Sequence, residues 1–120
     1  MFFTKKNKMD IELCKAEIKR HEGEVLEIYM DSLGYKTLGV GHLCQPNDPE
    51  YNWEVGTPVS QEVVDMYYED DFEKHYKEAI HVFGSEEEWN ELPEVIQRVL
   101  VNMCFNLGGS RLSKFRNMLK

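Results

Sequence analysis

Apolar positions along the chain change their period several times, and each change marks an element. Ile11, Cys14 and Ile18 recur at helical spacing behind Asp10, whose carboxylate suits an N-cap, and Met9 and Cys14 are placed to staple the first turn. The pattern predicts a helix over 10–22, stopped by Gly23, which tolerates a left-handed backbone. Residues 25–30 (VLEIYM) then form a run suited to a strand, Asp31, Ser32, Leu33 and Gly34 carry turn chemistry, and 35–40 reads as the returning strand. Alternation on that return puts Tyr35, Thr37, Gly39 and Gly41 on one face and Lys36, Leu38, Val40 and His42 on the other. The two glycines leave the Thr37 face without bulk, which suits close approach of a ligand.

Residues 43–58, with Pro46, Asn47, Asp48, Pro49, Gly56 and Pro58, break all periodicity and predict an irregular loop. Ser60 then caps a helix to about Phe83, with Val64, Tyr68, Phe72, Tyr76 and Ile80 in one stripe and Tyr67, Asp71, His75, Ala79 and Phe83 beside it. At ~1.5 Å per residue such a helix spans on the order of 36 Å, enough to join two lobes. Its acidic run, Glu69, Asp70, Asp71 and Glu73, reads as a solvated face. Gly84 ends it, 85–91 predicts a short acidic helical turn, and 93–107 is apolar on nearly all sides, as a buried helix would be. Gly108 and Gly109 stop that helix, Asn102 and Asn106 share one of its faces, and 110–120 adds one amphipathic segment. Short strands followed by helices make the expected fold class α+β.

Composition narrows what this fold can serve. A chain of 120 residues suits one domain, and 42% hydrophobic residues allow a real core. The net charge of −8 repels phosphates, so nucleic acid is excluded as a partner, and long-range attraction to any polyanion is disfavoured as well. Cys14, Cys44 and Cys104 are odd in number and widely spaced, as reduced thiols of a cytosolic protein would be, two of them filling core space. The N-terminus has no apolar run of signal-peptide length and no segment reaches membrane-spanning length. The expectation is a protein soluble and cytoplasmic as synthesised, with no membrane partner and Met1 to Lys8 as a solvated tail.

Candidate chemistry concentrates in 21–42 (HEGEVLEIYMDSLGYKTLGVGH). Glu22 falls at the negative end of the first helix, which disfavours its charged form and should raise its pKa toward that of a proton donor. Lys19, Arg20 and His21 beside it push the other way. Asp31 lies in the bend of the hairpin and Thr37 on the returning strand, completing an acid, a second carboxylate and a hydroxyl.

The order Glu22-Gly23, Tyr29 to Asp31, Gly34-Tyr35-Lys36-Thr37 and Gly39-Val40-Gly41-His42 resembles the active-site signature of the bacteriophage T4-type lysozymes. The gaps agree too, nine positions from Glu22 to Asp31 and six more to Thr37, and NMCFNLGG (102–109) resembles the family's second block. The resemblance implies a two-lobe lysozyme-like fold, with an active-site lobe over 10–59, a connecting helix over 60–83 and a helical lobe over 84–120. It implies a muramidase that cleaves the glycan strand of peptidoglycan with inversion. In it Glu22 is the general acid, Asp31 and Thr37 hold and activate the water, and Asn106, Tyr29 and Gly41 contact substrate. Tyr51 and Trp53 offer aromatic faces to a sugar, or pack under their loop. His42 matches a family position also, and its face of the strand suits a brace paired with a carboxylate. No cofactor is expected and no metal, since His42 and Cys44 lack a third ligand at suitable spacing. Family members continue with further helices, so a shortened relative is expected to complete its helical lobe by repacking or self-association. A non-catalytic descendant that binds glycan or protein through the old cleft, or an inactive truncated fragment, is the alternative; joint presence of Glu22, Asp31 and Thr37 argues against it, and the shortened C-terminal part argues for it.

Overall fold

The computed structural model describes residues 9–107; the expected N-terminal tail, the glycine stop at 108–109 and the segment over 110–120 lie outside them. The elements are α1 (Ile11–Glu22), β1 (Val25–Met30), β2 (Lys36–Gly39), β3 (His42–Leu43), a 3-10 turn (Pro49–Asn52), α2 (Gln61–Val82), α3 (Glu86–Asn90) and α4 (Glu94–Leu107). A small antiparallel sheet with helices on either side of it in sequence makes the chain α+β. It divides into two compact units, one holding Lys19–Asp71 and the other the described residues before and after that span.

In the first unit the sheet has three strands in the order β1-β2-β3, one more than the sequence pattern predicts. The return strand ends at Gly39 rather than Val40, and the chain doubles back so that Leu38 pairs with His42 and Thr37 with Leu43. Tyr29 pairs with Thr37 and Met30 with Lys36 on the other side, with an irregularity between Val25 and Tyr29. The loop after β3 is anchored rather than loose. Lys36 Nζ donates to the carbonyls of Trp53 (2.8 Å) and Tyr51 (3.4 Å), which draws the loop onto β2. Its end runs along the other edge of β1: Ile28 N–H donates to Thr57 O (2.9 Å), Gly56 N–H to Ile28 O (2.7 Å) and Val59 N–H to Leu26 O (2.9 Å). Those bonds satisfy edge groups that would otherwise face solvent or another chain. Ile28, Leu38, Cys44, Val59, Val64 and Tyr67 form the core of the unit. Gly39 serves that core instead of a ligand, since a Cβ there would lie 3.0 Å from Val64 Cγ1.

The second unit begins with the capped start of α1. Asp10 Oδ1 accepts the N–H of Leu13 at 3.0 Å, Met9 is buried, and Cys14 and Ile18 face inward while Ile11 stays exposed. Aromatic rings carry much of the packing: Trp89 lies 6.3 Å from Tyr76 and 6.2 Å from Phe83 between ring centroids. Ser85 caps α3 through a bond from the N–H of Glu88 to its Oγ (3.1 Å). The expectation that α4 is buried on nearly all sides is corrected. Gln97, Leu100, Val101 and Cys104 are buried, but Val95, Ile96 and Val99 are 56, 41 and 47% exposed. The helix thus packs through one face, and the polar member of that face is kept by its bonds: Gln97 Nε2 donates to Trp89 O (2.8 Å) and Leu92 O (3.2 Å). Arg98 joins α4 to α1 by reaching Glu17 (2.7 Å) and its own helix's Glu94 (2.8 Å). All three cysteines are buried free thiols, one more in the interior than expected. Among the described residues no helix is long and apolar enough to cross a membrane.

Candidate active site

Glu22 is the last residue of α1, held there because Gly23 turns left-handed (φ +78°) and donates its N–H to Lys19 O at 2.8 Å. Its carboxyl is half-buried, and burial pushes its pKa above the usual carboxylate range while the charge of His21 pulls it back. The rise expected from the helix end is present, and its leading cause is burial. Gly41 lies against this group: a Cβ at that position would fall 2.9 Å from Glu22 Oε1, in a backbone conformation (φ +66°) that L side chains rarely adopt. The absent side chain at Gly41 is therefore the space the acid occupies.

Asp31 is fixed by the hairpin turn. Its Oδ1 accepts the backbone N–H groups of Leu33 (2.9 Å) and Tyr35 (2.8 Å), while Oδ2 takes no hydrogen bond among the described residues. Tyr35 couples this carboxylate to Thr37. The Tyr35 carbonyl accepts the N–H of Asp31 (2.9 Å) and the hydroxyl of Thr37 (3.0 Å), so one peptide sets both groups. Thr37 is buried and its hydrogen is committed to that carbonyl, which leaves lone pairs as the free face of its oxygen. Tyr29 stands opposite Thr37 in the register, and burial together with the negative charges of Glu22 and Asp31 raises the pKa of its phenol. Glu22, Tyr29, Asp31, Thr37 and Gly41 are thus brought together by α1, the hairpin and the turn into β3. Asn106 belongs to the other unit, where it is exposed on α4 and donates to Asn102 Oδ1 at 2.8 Å.

His42 braces the hairpin, with two carboxylates rather than one. Its Nδ1 is 2.8 Å from Asp71 Oδ2 and its Nε2 2.8 Å from Asp48 Oδ2, and the ring stacks on Tyr67 at 4.0 Å. Burial lowers its pKa, but the bonds and charges of Asp71 and Asp48 outweigh burial and leave it raised. Asp48 is lowered: burial opposes this, and the bonds from Gln45 N–H and His42 win. Below them Tyr67 donates its hydroxyl to the buried Glu50, and both burial and that bond raise the phenol's pKa. Asp48, Glu50, Tyr67 and Asp71 carry no such role in the sequence reading. Asp71 is there part of a solvated acidic face, and that is corrected: within the run it pairs with a residue 29 positions away. The signal available was a histidine on the face opposite Thr37, which required a carboxylate without naming it.

Tyr51 lines a groove of about 430 Å³ with Met30, Tyr35, Lys36, Leu43 and Pro46, whereas Trp53 faces a separate, more open one beside Glu54 and Val55. The chemistry of the patch is that of a half-buried acid and a carboxylate with one oxygen unbonded among the described residues, beside a fixed hydroxyl.

Comparison with known proteins adds two findings. A family model described as phage lysozyme matches residues 19–120. The chain is also 32% identical over 122 residues to the probable T4-type lysozyme 2 of Dictyostelium discoideum, an alignment spanning 88% of this chain and 72% of that relative.

Proposed function

Because the chain belongs to the phage lysozyme family, glycoside hydrolases of peptidoglycan, we propose that it cleaves the β-1,4 bond between N-acetylmuramic acid and N-acetylglucosamine with inversion. The supporting observation is the contrast between two carboxyls of one patch. Glu22 is half-buried against Gly41 with its pKa raised, and Asp31 is keyed into a turn through Oδ1 with Oδ2 open. Environments that differ in this way separate an acid from a base.

In this mechanism Glu22 gives its proton to the glycosidic oxygen as the bond to the anomeric carbon breaks. A water held between Asp31 Oδ2 and the lone pairs of Thr37 Oγ1 attacks the opposite face of the sugar and loses a proton to Asp31. Glu22 ends ionised, Asp31 protonated, and the anomeric carbon inverted. Such a reaction needs the two carboxyls roughly 6.5–9.5 Å apart, room for the water that a retaining enzyme would exclude. Tyr29 and Gly41 are assigned to substrate beside the acid, and Asn106 an amide contact. The functional division follows the same reading: an active-site lobe over 10–59, a connecting helix over 60–83 and a helical lobe over 84–120.

Digestion of purified peptidoglycan by the full chain tests this, with the new reducing ends identified and their first-formed anomer followed by NMR. The reading expects N-acetylmuramic acid ends released as the α anomer. N-acetylglucosamine ends would overturn the bond, and a first-formed β anomer the mechanism.

A further inference from the structure

We propose that His75, Glu78 and Cys104 form a binding site for a divalent transition-metal ion of the zinc type, separate from the hydrolytic patch. His75 and Glu78 are three residues apart on α2, so they share a helix face, and Cys104 comes from α4 in the same unit. The three side chains meet at one oxygen. Glu78 Oε1 lies 2.7 Å from His75 Nδ1 and 3.4 Å from Cys104 Sγ, and all three donor atoms fall within 4.8 Å of one another.

The donor set chooses the ion. One imidazole nitrogen, one carboxylate oxygen and one sulfur suit zinc and its close analogues, whereas calcium and magnesium take oxygen ligands. Ordinary zinc bond lengths in a tetrahedral site put neighbouring donors roughly 3.3–3.6 Å apart. The sulfur to oxygen spacing already fits, and the nitrogen to oxygen spacing must open by less than ~1 Å, with the ion replacing the hydrogen bond. Cys104 is fully buried while His75 and Glu78 are partly exposed, which leaves a solvent side for entry and for a water as fourth ligand. Phe105 packs edge-on against the imidazole at 5.1 Å and steadies the ring.

Binding moves two protons. The imidazole must present a bare Nδ1, so its remaining proton sits on Nε2, and the thiol proton passes to the buffer as the sulfur to metal bond forms. Without metal that thiol is held neutral, its pKa pushed up to about 12 by burial and by the Glu78 bond, with Lys74 opposing. The consequence for the fold is a tie between α2 and α4. Because α4 exposes Val95, Ile96 and Val99 and is held through one face, a tie on the buried face adds directly to the unit's stability.

The test uses the reduced, metal-stripped full chain titrated with Co²⁺ and then with Zn²⁺. One equivalent of Co²⁺ should produce a thiolate charge-transfer band in the near ultraviolet, Zn²⁺ should erase it, and Zn²⁺ should raise Tm by several degrees. Cys104→Ser should abolish the band, and Cys14→Ser and Cys44→Ser should keep it. His75→Gln, at a partly exposed position, should weaken binding at least tenfold, roughly the least that even an outer-sphere loss costs. If Cys104→Ser does not fold, the His75→Gln affinity decides. Absence of the band in the folded wild type, its survival in Cys104→Ser, or unchanged affinity in His75→Gln would each overturn the site.

Discussion

Burial at the end of α1 disfavours the charged form of Glu22, which is the direction that the proposed role of proton donor requires. His21 is the counterweight, since its positive charge favours the anion. Under the proposed mechanism the alkaline limb of kcat/KM reports the loss of the Glu22 proton. Removing the cation in His21→Ala should therefore move that limb to higher pH, and a shift downward would contradict the assignment. Gly41 makes the same acid sensitive to a single methyl group. Gly41→Ala places a Cβ 2.9 Å from Glu22 Oε1 and forces a left-handed backbone, which should cost about 1–2 kcal/mol in a denaturant melt. The displaced acid should also lose about tenfold or more in kcat/KM, because misplacement by ~1 Å costs on the order of a hundredfold.

At the scale of elements, the hairpin is held on α2 by charges as well as by its core. His42 is raised in the fold, so its contribution is complete below an unfolded pKa of about 6.5 and fades as pH rises through the folded value. Asp48 is lowered, so its contribution is present above about pH 3.9 and is lost as pH falls through its folded value. Both hold together between about pH 4 and 6.5. His42→Asn should therefore cost the most there, about 3 kcal/mol at pH 5 by chemical denaturation, and clearly less at pH 9. A pH-independent cost would mean that ring stacking on Tyr67 rather than charge does the bracing. This network also marks where the sequence stops being legible. The four helices and the first two strands follow from apolar period, caps and turn residues, all of them local, and so does the placing of Glu22 and Asp31. The helical period sets Asp71 in the stripe of Tyr67 and apart from Asp70 and Glu69, but its pairing with His42 joins residues 29 apart through a fold that must exist first, and no local pattern names that partner. The third strand is two residues long, too short to carry a period of its own. The exposed side of α4 is apolar all the same, so its composition does not reveal it: burial depends on neighbours.

For the whole molecule, the lysozyme-like α+β fold meets its substrate with a net charge of −8. Bacterial walls carry anionic polymers, so approach is opposed over distances comparable to the Debye length, ~10 Å at 0.1 M salt. Raising ionic strength from about 0.01 to 0.1 M should increase kcat/KM on intact walls and leave short neutral oligosaccharides nearly unaffected; a fall on both substrates would contradict this account. Under the proposed mechanism the proton of half-buried Glu22 drives glycosidic cleavage, and a paired measurement on Glu22→Gln tests this most directly. Peptidoglycan hydrolysis and binding of a wall fragment are followed side by side in the folded variant and its parent. Hydrolysis should collapse while binding persists, and a hydrolysis rate equal to the parent's would remove Glu22 from the reaction.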